Sequence, residues 1–213
     1  MSTNEPSASR LIATMAIAGL TSGLLLVGAY LGTLPTIQRN QAEALRAAVF
    51  RVVPGSATID AWIWKGDRLV RYDGPKDALP EGEAVYACSA ESGEVVGWAI
   101  PGAGPGFQDT IALIYGYDPA RKVIVGMEVL ESRETPGLGD KIQKDAHFVA
   151  NFDALAVEPS IVAVKPNEKH NPNEVDTISG ATISSKAVIR ILNQSTGVWV
   201  ERLAAHPAAE VAP

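Results

Sequence analysis

The stretch DTISGATISS, residues 176–185, followed directly by KAVIRILNQS, residues 186–195, decides how the last part of the chain folds. Its small residues let a ligand approach the backbone closely, and the pattern after it predicts a helix that begins near Ser184. The hydroxyls of Thr182, Ser184 and Ser185 then accompany the unpaired N–H groups of the first helical turn, where the helix dipole attracts anions. This arrangement predicts a phosphate site. The alternative, that Thr182 or Ser184 only caps the helix, is left open by these residues.

A second motif, ETPGLGDKI, occupies residues 134–142, just after a predicted strand that ends near Glu131. One interpretation is a tight turn in which Gly137 or Gly139 adopts a positive φ. The other is a binding surface, in which the nearly side-chain-free Pro-Gly-Leu-Gly backbone lies against a flat ring and Leu138 supplies an apolar contact. No G-x-G-x-x-G follows a strand and opens a helix, so the dinucleotide-binding fingerprint is excluded.

The pattern of strands and helices predicts one mixed α+β domain over residues 56–205. Short β-type runs form three predicted strand pairs, which turn at residues 65–67, 91–93 and 118–120. A helix is expected within residues 141–152 and a further strand at residues 160–165. The last helix is expected to start near Ser184 and to continue through VWVERLAAH.

The polar segment PNEKHNPNE, residues 166–174, has no core-forming residue and predicts a loop. The four tryptophans each fall inside a predicted regular element, so core or interface packing is expected of them rather than ligand stacking. They are Trp62, Trp64, Trp98 and Trp199.

An uncharged apolar run precedes the domain, and residues 11–34 predict a transmembrane helix. Their 24 residues would measure about 36 Å as a helix, enough to cross a hydrocarbon core of about 30 Å. The competing interpretation is a cleaved signal peptide, whose apolar region is about 7–15 residues long and ends at a small-x-small site. This run is longer, and no clear site follows Leu34, so an uncleaved anchor is favoured.

The segments beside the span complete the predicted organisation. Residues 1–10 form a short amino terminus, residues 35–55 a connecting helix stopped by Pro54-Gly55, and residues 206–213 a disordered tail. Arginines are more numerous after the span than before it, which taken alone favours an external amino terminus.

Composition excludes several functional classes. The net charge is −6 and no Lys/Arg-rich run occurs, so binding of nucleic acid is not expected. Cys88 is the only cysteine, and it is expected to be a small buried strand residue. The three histidines are scattered without metal-ligand spacing, so no metal is predicted.

Taken together, DTISGATISSKAV and ETPGLGDKI resemble the FMN-binding domain shared by the G subunit of the Rnf electron-transport complex and the C subunit of the sodium-translocating NADH:quinone reductase. The resemblance covers Leu11 to about Leu192. It implies that a dedicated flavin transferase attaches FMN through a phosphoester to Thr182, with Asp176 at the acidic position of the modification motif. Ser184 stands where a threonine is common, which should matter little for a hydroxyl donor.

The resemblance also implies which residues surround the flavin. The isoalloxazine ring would be lined by Glu134, Thr135, Leu138 and Gly139. The phosphate end would be surrounded by Ser179, Gly180, Ala181 and Ser185. No residue is expected to act as a catalytic acid or base, and Glu134 is expected to be a hydrogen-bonding contact. Turnover by the isolated chain is not expected.

The implied function is electron transfer within a membrane-bound, ion-translocating Rnf-type complex linked to ferredoxin and NAD. Expected partners are the bilayer, the other membrane subunits including a second covalently flavinylated one, and the flavin transferase. Because that transferase acts outside the cytoplasm, the domain is expected beyond the inner membrane with a cytoplasmic amino terminus, which overrides the arginine count. The alternatives are the C subunit of a sodium-translocating quinone reductase and a flavin-free, membrane-anchored assembly module.

Overall fold

The computed structural model describes residues 7–75 and 78–205 of the chain. They form one long amino-terminal helix followed by a mixed sheet-and-helix domain, as the predicted α+β class requires. Most of the predicted amino-terminal segment (residues 1–6 of 1–10) and the predicted disordered tail, residues 206–213, lie outside the described residues.

Helix α1 spans Ala8–Val52 without interruption, 45 residues in all. It passes through Pro35, so no break separates the predicted membrane helix from the predicted connecting helix. By length and composition α1 is able to cross a membrane, and its most apolar window is entirely exposed in the protein. The helix ends just before Pro54 and Gly55, and Gly55 adopts a φ of +85° that only glycine takes readily.

A seven-stranded antiparallel sheet forms the centre of the domain, in the order β2-β1-β3-β4-β5-β6-β7. Its strands are β1 (Thr58–Trp64), β2 (Leu69–Arg71), β3 (Ala84–Ser89), β4 (Val95–Pro105), β5 (Thr110–Asp118), β6 (Val123–Ser132) and β7 (Leu155–Ala156). The three predicted strand pairs are confirmed. Strand β7 has only two residues and was not predicted from the sequence.

Both faces of the sheet are covered. One face packs against helix α4 (Thr182–Ala205) in the larger core cluster, and the other packs against the end of α1 in a smaller cluster. Alternate strand residues therefore enter different cores: Leu113 and Tyr115 face α4, whereas Ile114 faces α1. This explains why β5 has a nearly continuous buried run instead of a polar face.

The end of α1 rests directly on the backbone of the sheet. A Cβ at Gly116 would lie 1.9 Å from the carbonyl oxygen of Val52, and one at Gly126 would lie 2.8 Å from the same atom. Two hydrogen bonds of 2.6 Å from the guanidinium of Arg51 to the carboxylate of Glu128 fasten the same turn to β6. The long helix and the domain are therefore joined by close packing as well as by the chain.

The predicted helix within residues 141–152 is two short helices, α2 (Lys141–Lys144) and α3 (Ala146–Ala150). The single-helix prediction was wrong because Asp145 leaves the helical conformation. Its carboxylate accepts the N–H groups of His147 and Phe148 at 3.0 and 3.1 Å and caps α3.

The predicted strand near residues 160–165 is confirmed as β8 (Val162–Val164), which pairs in parallel with β9 (Glu174–Asp176). The predicted loop 166–174 therefore ends one residue early, since Glu174 begins β9. The Glu174 carboxylate accepts the N–H groups of His170 and Asn171 and the Asn171 side chain, which lowers the pKa of Glu174 to about 2. A polar loop without core residues is thus ordered by its own hydrogen bonds.

The tryptophan and cysteine predictions are confirmed. Trp98 and Trp199 are buried in the larger core, and Trp62 and Trp64 pack against it. Cys88 is fully buried within β3, and that burial raises the pKa of its thiol to about 12.

We expect Gly116→Ala to lower the free energy of unfolding by about 1–3 kcal/mol, since the added methyl group must displace the Val52 carbonyl. Gly197→Ala is the matched control, because Gly197 is exposed within α4 and a Cβ there meets nothing within 4 Å. That control should stabilise α4 by up to about 1 kcal/mol. Chemical denaturation of the detergent-solubilised full chain measures both, and equal stability of the two variants would contradict the packing described.

Candidate functional site

The backbone before α4 turns sharply at Gly180, whose φ of +80° lies in the region that favours glycine. Behind this turn the hydroxyl of Ser185 is fully buried. It accepts the N–H of Ile178 at 3.1 Å and donates to the carbonyl of Ala181 at 2.9 Å. Ser185 therefore holds the turn from inside. Ala181 is also buried, whereas Ser179 and Gly180 are exposed.

Thr182 is the first residue of α4, two residues before the predicted start, and it is exposed. Its hydroxyl donates only a long hydrogen bond of 3.4 Å, to the carbonyl of Ile178. The N–H groups of a first helical turn lack intrahelical acceptors, and the dipole is positive at this end. An accessible hydroxyl thus lies beside a helix terminus that suits a phosphate.

The carboxylate of Glu134 joins three segments of the chain. Its Oε1 accepts the N–H groups of Phe107 and Gln108 at 3.0 and 2.9 Å, from the turn between β4 and β5. Its Oε2 accepts a short hydrogen bond from the hydroxyl of Ser184, in the first turn of α4. The Glu134 side chain is buried, with 4% of the residue exposed. Glu134 therefore makes its hydrogen bonds to the protein's own groups, and a contact with the flavin stays a prediction.

Burial raises the pKa of Glu134, but its hydrogen bonds act in the opposite direction. The Ser184 hydroxyl and the backbone N–H groups of Gln108, Phe107 and Asp109 stabilise the ionised form. Their combined effect outweighs burial, so the pKa of Glu134 lies below its ordinary value. The carboxylate is therefore charged at neutral pH and engaged on both oxygens.

The turn of residues 134–142 follows β6 as predicted, and Gly137 has the predicted positive φ, +78°. At Gly139 a glycine is required because there is no room for a side chain. A Cβ there would lie 2.7 Å from Glu134 Oε2 and 2.8 Å from Ser184 Oγ. No side chain fits between this turn and α4, so the two motifs touch at Gly139.

The other predicted ring-lining residues lie on the outer side of this contact. Thr135 is partly buried and donates its hydroxyl to Oε1 of Gln108 at 2.9 Å. Leu138 is 51% exposed at the tip of the turn. The bond between Glu134 and Ser184 and the close contact at Gly139 thus bring the two motifs together. Leu138, Ser179 and Gly180 are exposed there, whereas Glu134, Gly139, Ala181 and Ser185 are buried.

Asp176, the predicted acidic residue of the modification motif, is directed into the adjoining loop. Its Oδ1 accepts the N–H groups of Glu168 and Lys169 at 3.1 and 3.2 Å, and its Oδ2 lies 3.6 Å from Nε2 of His147. The residue is buried, with 7% exposed. In this structure Asp176 orders the polar loop that precedes the motif.

The turn PGFQD, residues 105–109, supplies two of the donors to Glu134 and was not predicted as part of the site. One feature of the sequence could have indicated this turn, namely an aromatic residue, Phe107, in a short segment between two predicted strands. As for metals, no three His, Cys, Asp or Glu residues within 7–75 and 78–205 are grouped so that they could hold an ion.

Comparison with known proteins identifies the same region. The model of the FMN-binding domain family matches residues 106–196, which contain both motifs and the missed Phe107. The solved structure of NqrC from Shewanella oneidensis superposes with a TM-score of 0.62 at 17% identity, covering 78% of this chain and 99% of that one. The C subunit of the Na(+)-translocating NADH-quinone reductase from Parabacteroides distasonis gives 0.63 at 21% identity, covering 81% and 96%. These likenesses establish the fold.

Curated relatives share more of the sequence. The chain is 31% identical to the G subunit of the Na(+)-translocating ferredoxin:NAD(+) oxidoreductase complex of Acetobacterium woodii, over 78% of this chain and 79% of that protein. It is 30% identical to the G subunit of the ion-translocating oxidoreductase complex of Methanosarcina acetivorans, covering 88% and 92%. The corresponding subunit of Aliivibrio fischeri strain MJ11 is 31% identical, covering 93% and 91%.

We expect Glu134→Gln to reduce the free energy of unfolding at neutral pH by about 1–3 kcal/mol, because charge-assisted hydrogen bonds are replaced by weaker ones. The folded pKa of Glu134 lies below its unfolded value, so this contribution is fully present above the ordinary value of 4.5 and is lost as pH falls through the folded pKa. Chemical denaturation at neutral and acidic pH should therefore show the two proteins converging in acid.

The control is Glu91→Gln, at an exposed position in the turn between β3 and β4. It should leave the stability at neutral pH unchanged. If Glu134→Gln behaves like this control at neutral pH, the carboxylate does not hold the three segments together.

Proposed function

The chain belongs to the family of G subunits of ion-translocating oxidoreductase complexes, and on that premise we propose that it carries electrons through one FMN bound covalently to Thr182. The FMN-binding domain and the relatives support an electron-transfer subunit of such a complex. Covalent attachment to Thr182 is supported by one observation. Thr182 is exposed at the start of α4, beside a turn built around buried Ser185.

The residues present fit the two ends of an FMN molecule. At the phosphate end, exposed Ser179 and Gly180 leave Thr182 accessible, while Ala181 and Ser185 shape the turn from inside. At the ring end, Gly139 leaves no side chain over the contact between the motifs, and Leu138 is exposed beside it. Thr135 and Glu134 support this surface through their bonds to the turn of residues 105–109.

Attachment requires one bond to form and one to break. The Thr182 hydroxyl oxygen forms the bond to the flavin's phosphorus, while the phosphoanhydride bond of a flavin dinucleotide donor breaks. The donor's nucleoside monophosphate leaves with the electron pair of that bond. The hydroxyl proton leaves to a base of the flavin transferase. Asp176 holds the loop before the motif, so its role in modification is to present Thr182 in a defined backbone.

FMN supplies one- and two-electron redox chemistry when bound, and the chain's own residues position it. The ester uses the phosphate, so it leaves the ring electronically unmodified. Glu134 is ionised and engaged on both oxygens, which leaves it without a proton to transfer. The chain thus acts as a carrier, and substrate turnover belongs to the complex.

The proposed location follows from α1 and from the site of modification. Helix α1 is long and apolar enough to cross a membrane. The proposal places it in the inner membrane, with a cytoplasmic amino terminus and residues 56–205 outside the cytoplasm. The proposed partners are the other membrane subunits, including a second covalently flavinylated one, together with the flavin transferase and the bilayer. A second candidate function is that of the C subunit of a sodium-translocating NADH-quinone reductase, because the fold is shared with that subunit. The higher sequence identity to the G subunits favours the G-subunit function.

Co-expression with a flavin transferase tests the attachment. The denatured wild-type band should fluoresce in a gel, and Thr182→Ala should abolish the signal because no other oxygen occupies that position. Thr58→Ala, which removes an exposed threonine hydroxyl from the start of β1, should retain it. A dark wild-type band would favour the flavin-free assembly module, and a fluorescent Thr182→Ala band would place the flavin elsewhere.

A further inference from the structure

Three large apolar side chains stand out beyond α1. Among the described residues after Val52, only Phe107, Leu138 and Ile183 are large hydrophobics more than half exposed, at 65%, 51% and 58%. A single exposed apolar residue is ordinary. These three are different, because each lies on one of the three segments that the Glu134 carboxylate joins.

Phe107 is exposed on a turn that is held firmly. Its own N–H is bound by Glu134 at 3.0 Å, and the N–H of Gly106 donates to the carbonyl of Asp109 at 2.8 Å. The guanidinium of Arg190, on α4, donates to the carbonyl of Pro105. A Cβ at Gly106 would lie 2.5 Å from Glu134 Oε1, so the turn and the carboxylate are in direct contact. The backbone of this turn is therefore held in place, and Phe107 is exposed on it.

The same contacts tie Phe107 to the attachment point. Ser184, which donates to the other oxygen of Glu134, is two residues after Thr182, and Ile183 is next to Thr182. The match to the FMN-binding domain family begins at residue 106 and includes all three apolar residues. A ring tethered at Thr182 is held at high effective concentration beside this surface.

We infer that Phe107 and Ile183 extend the apolar contact that the resemblance implies between Leu138 and the isoalloxazine ring, and that Glu134 is a positioning residue that holds Phe107 in place. This rests on the proposed attachment of FMN at Thr182. The ring is flat and aromatic, so it gains both apolar burial and an aromatic contact with Phe107. Glu134 itself is withdrawn from the ring, because its oxygens are bound by Phe107, Gln108 and Ser184.

A tryptophan at position 107 reports contact directly, because an indole touching an oxidised flavin quenches its emission by electron transfer. The full chain is co-expressed with a flavin transferase, purified in detergent and shown by intact mass to carry FMN. Emission of the folded chain is then divided by emission of the same sample after denaturation. In Phe107→Trp this emission ratio should fall to a small fraction of the wild-type value. Phe50→Trp is the matched control and should keep it, since Phe50 is exposed on α1 at the opposite face of the sheet from α4.

Two further variants separate contact from general structure. Phe107→Ala should increase quenching by iodide, since part of the ring loses its cover. Adding Glu134→Gln to Phe107→Trp should restore part of the emission, because the turn is no longer held. Partial unfolding would also raise the ratio, so the double variant is measured under conditions where circular dichroism shows it to be fully folded. Recovery of emission in the folded double variant supports the positioning role of Glu134, and an unchanged ratio overturns it.

The outcomes distinguish this inference from the attachment. A wild-type chain without FMN overturns the proposed function. A chain that carries FMN, but whose Phe107→Trp ratio equals that of Phe50→Trp, overturns the contact surface and leaves the attachment standing. Loss of co-purifying membrane subunits in Phe107→Ala, with unchanged flavin emission and iodide quenching, would assign the surface to a protein partner and also overturn it.

Discussion

The Glu134 carboxylate is the constraint on which the geometry of the site depends. A buried charge is tolerated only when hydrogen bonds replace its lost hydration, and here the replacements come from two other segments of the chain. The carboxylate holds together the turn of residues 105–109, the turn of residues 134–142 and the first turn of α4. Separating them would cost free energy, because the buried charge would lose its hydrogen-bond donors. Gly106 and Gly139 complete the contact, since neither position has room for a side chain. A site open to solvent is thereby given a fixed shape.

The same rigidity extends from the site to α1. Helix α4 is fastened to the sheet by the bond between Tyr115 and Ser195, 2.9 Å long, and by close packing of Ile191 on Gly104. On the opposite face, the end of α1 lies on Gly116 and is paired to β6 through Arg51. A carrier in an electron-transfer chain benefits from a fixed distance between its cofactor and the next centre. With α1 in the membrane, this succession of contacts holds the proposed flavin site at a set position relative to the bilayer.

The sequence was most informative where local chemistry decides structure. Turn residues located the three strand pairs, and the hydroxyl-rich stretch located the start of α4 to within two residues. Long-range pairings were not predictable: Glu134 and Ser184 are 50 residues apart, and the parallel pairing of β8 with β9 depends on tertiary packing. The break at Asp145 was missed because helical periodicity continues across it while its side chain caps the next helix. Phe107 was not predicted as a site residue because it reaches the site through a long-range hydrogen bond between its N–H and Glu134.

The central claim is a phosphoester between FMN and the Thr182 hydroxyl, and mass spectrometry of the chain isolated from its native membranes tests it most directly. Intact mass followed by mapping of the modified peptide locates any adduct on the sequence. The account predicts the mass of one FMN, less one water, on the peptide that contains residues 176–185, with fragment ions placing it on Thr182. An unmodified native chain, or a flavin located on any other residue, would contradict it.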